Sequence, residues 1–336
     1  MDVLSEVLAT VTLRGAFYFN GEFTAPWAVR TPPSTVLAPH IGPGDGHVII
    51  FHLVTDGRGV AGLEGGALVP FEAGDVIVFP HGDAHVVGSG AGSQAVDYEG
   101  ELHRILDQGL RTTRAGGGGA VTRFVCGYLS CDPRLSRTFL AGLPPMLKVH
   151  VRQDGSGQWL EQAIRNSVAD GQAASAGGEA VLARLAEALF IETLRRHVAA
   201  LPAEHRSWLA GARDPEVGRA LALMHAGPAR PWTLARLASA AGVSRSVLAE
   251  RFRLLLGEPP MTYLSRWRLQ LGAQLLQATS RRVADIAAEV GYDSEAGFNR
   301  AFRREHGTPP ARFRNTFRKA SARLRAPARR SRESRA

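Results

Sequence analysis

The chain has 336 residues, 45% of them hydrophobic, and carries 40 Lys and Arg against 31 Asp and Glu for a net charge of +9. That length and apolar content bury ample core, exclude an intrinsically disordered chain and call for two or three domains. No apolar run approaches the roughly 18 residues of a membrane span, and Met1-Asp-Val-Leu-Ser-Glu has no basic stretch ahead of an apolar one, so a soluble cytoplasmic protein is expected.

Taken in order, Leu4, Val7, Leu8, Val11 and Leu13 fit one face of a short amphipathic helix, after which strand signals dominate. Arg14–Phe19, Trp27–Arg30, Val48–Val54, Gly59–Leu63, Ala67–Val69 and Asp75–Phe79 are short apolar or alternating runs divided by Gly, Pro and Asp. Such spacing suits a small β-barrel or jelly roll. Gly74, Pro80, Gly82 and His85 stand in an order that resembles the second motif of the cupin barrel, and Gly46 with His52 resembles the opening of the first. The second histidine of that first motif falls on Val54, and its glutamate is absent.

A catalytic metal site needs about three protein ligands and an open position. His52 and His85 supply two imidazoles, leaving His81, or else His40 or His47, to supply a third. With that set incomplete, no cofactor is required. The expectation is that these histidines line or brace a pocket for a small-molecule effector inside the barrel. A divalent metal there is the alternative, and with it a metal-dependent cupin enzyme fused to a DNA-binding domain. Arg111–Gly119 ends in four glycines and reads as a flexible loop; no Gly-Lys-Ser/Thr follows it, which excludes a phosphate loop. Val121–Leu129 reads as a further strand, and Cys126 and Cys131, too few for a disulfide framework, as buried, inert thiols.

After Leu143-Pro-Pro145 the period becomes helical, over Trp159–Val168 and again over Glu179–Leu201. Val181, Leu182, Leu185, Leu189, Ile191, Leu194 and Val198 form a stripe that has to pack on the barrel, on Trp159 and its helix, or on a second copy of the chain. Pro202 and the polar residues after it end this segment.

Asp214-Pro215 is an N-cap followed by proline at the first helical position, opening a helix to about His225. Two copies of one pattern come next. In the first, Leu234–Ala241 leads to Gly242 and then to Ser244, which opens a helix with Leu248, Phe252 and Leu255 inward. In the second, Val283–Val290 leads to Gly291 and then to Ser294, which opens a helix with Phe298 and Phe302 inward. Glycine permits the turn, serine caps the next helix, and two helix-turn-helix units result. Met261–Gln277, at about 1.5 Å per residue, makes a strut of roughly 25 Å between them.

Ser244-Arg-Ser-x-Leu248-x-x-x-Phe252, Gly257-x-x-Pro260, Arg268-Leu269, Ile286-Ala287, Gly291-Tyr292-x-Ser294, Phe302-Arg303 and Gly307-x-x-Pro310 together resemble the AraC/XylS family of transcription regulators. The resemblance covers about a hundred residues. It implies groove contacts from the second helix of each unit, activation through contact with RNA polymerase, and dimerisation through the long connector helix. Gly272, where the family usually has alanine, is expected to loosen the strut without touching the reading units.

Facing outward on the first recognition helix are Arg245, Ser246, Ala249, Glu250 and Arg253, and on the second Glu295, Ala296, Asn299, Arg300 and Arg303. Arg300 suits guanine, Asn299 adenine and Glu250 the amino group of cytosine, while Arg253, Arg303 and Arg304 suit phosphates. The charge supports a polyanion partner: residues 214–336 hold 23 Lys and Arg against 10 Asp and Glu, and residues 1–150 hold 10 against 14. A basic stretch from Arg318 to Arg335 adds to it, and by itself would also suit a sequence-indifferent DNA-coating protein.

The sequence therefore specifies an α+β chain: a cupin-like sensory barrel over 1–145, a helical connector over 146–206, a double helix-turn-helix domain over 214–318 and a basic tail over 319–336. The function expected is sequence-specific binding of double-stranded promoter DNA, controlled by a small-molecule or chemical signal, with no catalysis and no membrane partner.

Overall fold

A computed structural model describes residues 13–41, 47–90, 95–97, 110–131, 140, 142–171, 176–202 and 206–315. They fall into two compact units, one ending at Arg213 and the other starting at Asp214. The proposed helix over Leu4–Leu13 and the basic stretch after Arg318 lie outside the described residues, apart from Leu13. No helix among the described residues is long and apolar enough to cross a membrane.

The first unit contains β1 (Arg14–Thr24), β2 (Ala28–Thr31), α1 (Ser34–Ile41), β3 (His47–Asp56), β4 (Arg58–Leu63), β5 (Val69–Glu72), β6 (Asp75–Phe79), β7 (His85–Gly88), β8 (Ala95–Asp97), β9 (Thr112–Gly116), β10 (Val121–Cys131) and β11 (Leu147–His150). One sheet has the order β11-β6-β3-β10-β1-β9, the other β5-β4-β7-β2-β8. Strand β3 is buried from Val48 to Thr55, so its sequence, His52 and Thr55 apart, is an apolar run rather than an alternation. Phe23, Trp27, Phe71, Phe79 and Phe124 belong to one buried cluster, with Phe23 and Phe124 stacked at 5.2 Å.

Two segments differ from the sequence reading. Residues 112–116, expected in a flexible loop, pair in parallel with β1 from Asn20 to Thr24. The glycines that follow are held by backbone bonds, Gly117 N–H to Thr24 O and Gly119 N–H to Ala25 O, which offset the entropy of ordering them. Helix α1 is unexpected, because Pro39 within it reads as a breaker.

The unit continues through α2 (Gly155–Gly171), α3 (Gly178–Ala200) and α4 (Trp208–Arg213). Helix α3 packs on β1 and α2. Gly15 of β1 permits the close approach, since a Cβ there would lie 2.7 Å from the Cβ of Ala186. The apolar stripe is corrected: Ala186, Phe190 and Thr193 are buried beside Leu182, Leu189 and Leu194, whereas Val181 and Ile191 face solvent. Trp159 is likewise exposed, so its helix meets α3 through other residues.

The second unit is helical: α5 (Pro215–Ala226), α6 (Leu234–Ala241), α7 (Arg245–Leu256), α8 (Pro260–Ala278), α9 (Val283–Glu289) and α10 (Glu295–His306). Asp214 caps α5, its Oδ1 accepting from Glu216 N and Val217 N, with Pro215 in the first turn.

Candidate nucleic-acid interface

Each helix-turn-helix unit is built from local signals. Thr233 Oγ1 accepts from Arg236 N at the start of α6, and Gly242, at φ 81°, ends that helix. Ser244 Oγ then accepts from Val247 N and opens α7. The second unit repeats this with Gly291 at φ 89° and Ser294 Oγ accepting from Gly297 N at the start of α10. Leu248 and Phe252 seat α7 and Phe298 and Phe302 seat α10, all fully buried. With those faces fixed, the opposite faces of both helices are free for a groove about 12 Å wide.

The structure places the candidate contact residues there. Arg245, Ser246, Glu250 and Arg253 on α7 and Glu295, Ala296, Arg300 and Arg303 on α10 are exposed, while Ala249 and Asn299 are half-buried on the shoulders of their helices. Arg245, Arg253, Arg300, Arg303 and Arg304 form no ion pair with another described residue. Other arginines of this unit do: Arg266 pairs with Glu258, Arg281 with Glu289 and Arg282 with Asp285. The outward arginines thus keep their charge available for phosphate or base edges.

In the sheet unit, His52 and His85 do come together, at 2.9 Å between their Nε2 atoms. The tautomers follow from the partners. His85 Nδ1–H donates to Asp83 O, so its Nε2 accepts from His52 Nε2–H, and His52 Nδ1, 2.8 Å from Cys126 Sγ, accepts from the thiol. Burial holds His52 well below the usual histidine range, with His85 adding to the effect, and lowers His85 to about 4 against the contrary pull of Asp83 O. Burial also raises the Cys126 thiol. Both imidazoles are therefore neutral near pH 7.

That geometry corrects two expectations. His81 is not the third member of the group; its Nε2 meets Leu143 O at 2.9 Å. Among the described residues no three His, Cys, Asp or Glu side chains are grouped to hold a metal ion, and the ring nitrogens of His52 are spent on His85 and Cys126. Nor do the histidines line an open pocket: His52 is 3% and His85 0% exposed, and both lie among core aromatics, His85 stacked on Phe79 at 3.7 Å. A cleft of about 400 Å³ in this unit is lined by Arg58, Glu72, Ser89, Thr122 and their neighbours.

Comparison with known proteins matches residues 2–199 to a family described as Cupin and residues 237–316 to a family described as Helix-turn-helix domain. A putative AraC-like transcription regulator of Streptomyces lividans is 33% identical over 321 residues, covering 94% of this chain and 98% of the relative. The chain is a member of the AraC family of transcriptional regulators. The HTH-type transcriptional regulator AlkR of Acinetobacter baylyi is 29% identical, over 94% of this chain and 99% of its own. The RCS-specific HTH-type transcriptional activator RclR of Escherichia coli K12 is 28% identical, over 95% and 99%.

Two exposed apolar residues of the first recognition helix escape the sequence reading. Val247 and Leu254 are 40% and 49% exposed on α7. The signal is present, because each lies about 100° or more around the helix from the buried Leu248. Arg251 turns away from the contact face, bonding Asp214 and lying 3.0 Å from Glu216, and so ties α7 to the start of α5. Gly272 is also corrected: a Cβ there would lie 2.8 Å from Phe298 Cζ, so the glycine seats the second recognition helix directly.

Proposed function

We propose that this AraC-family regulator binds promoter DNA with both recognition helices, that an effector sensed by the cupin-like unit controls the binding, and that the bound protein activates transcription through contact with RNA polymerase. The observation that carries this reading is the set of exposed arginines, Arg245 and Arg253 on α7 and Arg300 and Arg303 on α10, none of them in an ion pair with another described residue. Arginines held on two ordered helices beside Ser246, Glu250 and Asn299 favour base reading over indifferent coating, for which charge alone would suffice. The relative RclR of Escherichia coli K12, a transcriptional activator, supports activation.

In this reading the effector shifts the packing of α3 and thereby the DNA-bound population, and a second copy of the chain docks on the exposed side of α3. No reaction is assigned to the cupin-like unit, and the site of action is the cytoplasm, where promoter DNA and polymerase are found. Selection of random duplex DNA by the full chain tests the proposal. It predicts an asymmetric site with two short blocks about one helical turn, roughly 34 Å, apart. No enriched sequence, with affinity lost uniformly as salt rises, would leave only a basic coating protein.

A further inference from the structure

Two helix-turn-helix units on one strut read a fixed spacing only if neither swivels about the strut. Core packing attaches each unit to α8 separately. Phe252 of α7 meets Tyr263 edge-on at 5.6 Å, His225 of α5 stacks on Trp267 at 4.0 Å, and Phe298 of α10 presses on Gly272. One side chain of α8, that of Arg268, touches both the loop that leads into the first unit and the turn of the second. Arg268 donates from Nε to Pro228 O at 2.8 Å and from Nη2 to Arg230 O at 2.9 Å, gripping the loop between α5 and α6. The same guanidinium lies against the turn of the second unit: a Cβ at Gly291 would stand 3.0 Å from Arg268 Cζ and Nη2, and 2.8 Å from Ala229 Cα. Glycine is required at 291 both for its positive φ and because the loop leading into the first unit approaches so closely.

Burial lowers the pKa of Arg268, while Tyr292 and Asp293, just beyond that turn, act in the opposite direction; the group stays cationic. One helical turn earlier on the same face of α8, Ser265 Oγ lies 3.3 Å from Tyr292 OH. The guanidinium is thus a wedge between loop 228–230 and turn 291–293, with its planar fork spent on two carbonyls of the loop leading into the first unit. A lysine at this position has a single nitrogen and cannot hold the same fork.

We propose that Arg268 is a positioning residue that fixes the phase between the two recognition helices and so sets the one block-to-block spacing the regulator accepts on DNA. The inference rests on the reading that both helices contact DNA. One inserted base pair shifts a block by about 3.4 Å and turns it by about 35°, so a locked pair discriminates between spacings and an unlocked pair does not.

The test uses full-length wild type, Arg268→Ala and Arg268→Lys on the selected operator, on the same operator with one base pair removed or added between the blocks, and on a duplex carrying one block alone. Wild type should lose at least about tenfold in affinity at either altered spacing. Arg268→Ala should bind the optimal operator more weakly yet differ less than about threefold across the three spacings, with single-block affinity within about twofold of wild type; Arg268→Lys should fall between. An Arg268→Ala profile as steep as that of wild type overturns the inference. So does a loss of single-block binding in the same proportion as the full operator, in both variants, because that marks general unfolding. A flat wild-type profile would instead refute two-helix reading itself and this inference with it.

Discussion

Asp214 joins two features of the DNA-binding unit, and its removal should separate them. Oδ1 accepts the free amide protons of Glu216 and Val217 at 3.2 and 2.9 Å, and Oδ2 accepts from Arg251 on the first recognition helix. Loss of an N-cap costs about 0.5–2 kcal/mol. The pair with Arg251, whose side chain is 42% exposed, adds about 0–1 kcal/mol. Asp214→Ala should therefore destabilise the unit by about 0.5–3 kcal/mol, and Asp214→Asn, which keeps a capping oxygen, by about 1 kcal/mol or less. Burial pushes the Asp214 pKa up, but the bonds from Val217 and Arg251 outweigh it and the net shift is downward. A lowered carboxylate pKa contributes stability above the unfolded value near 3.8 and loses it as pH falls through the folded value, so the advantage of wild type over Asp214→Asn should begin to shrink below about pH 4 and be gone only below the folded value. Urea unfolding of the full chain, followed through operator binding, measures both quantities. Equal losses for Asp214→Ala and Asp214→Asn at pH 7 would refute the capping argument.

Two other predictions follow from the same geometry. His52 and His85 are neutral in the fold and chargeable when unfolded, so the sheet unit should keep full stability above about pH 6.5 and lose it as pH falls from there towards 4. Chemical unfolding across that range should show a slope that His85→Phe reduces, and an unchanged slope would count against the buried neutral pair. At the two helix-turn-helix turns, Gly242→Ala should cost about 1 kcal/mol for its left-handed backbone, since its surroundings are open apart from Arg219 Nη1 at 3.4 Å. Gly291→Ala should cost at least about 2 kcal/mol because Ala229 and Arg268 crowd it as well. Similar unfolding midpoints for the two variants would be inconsistent with that crowding.

What is legible in the sequence is what local chemistry decides. Asp214, Ser244 and Ser294 read as caps and Gly242 and Gly291 as turn residues, because each acts on the backbone within a few positions of itself. The groups brought together by pairing register are not legible. Cys126 faces His52 only because β10 lies antiparallel to β3, and β9 joins the sheet only by lying parallel to β1. Nothing in the spacing of residues 52, 85 and 126 distinguishes such a relay from a metal site, and His81 joins the others by proximity in the chain alone. The stripe on α3 misleads at Val181 and Ile191 because hydrophobicity there does not mean burial, while Ala186, small enough to meet Gly15, carries no apolar signal of its own.

The central claim, that α10 reads bases while neighbouring arginines hold phosphates, is tested most directly by titrating the selected operator and its single-base variants with wild type, Arg300→Ala and Arg303→Ala at two salt concentrations. Arg300→Ala should lose about 5- to 150-fold, with discrimination relaxed at one base pair of one block. Arg303→Ala should weaken all sequences alike and reduce the salt slope by about one. If both variants instead weakened every sequence equally, with the same change in salt slope, α10 would be holding the backbone only, and the assignment of base reading to Arg300 would be wrong.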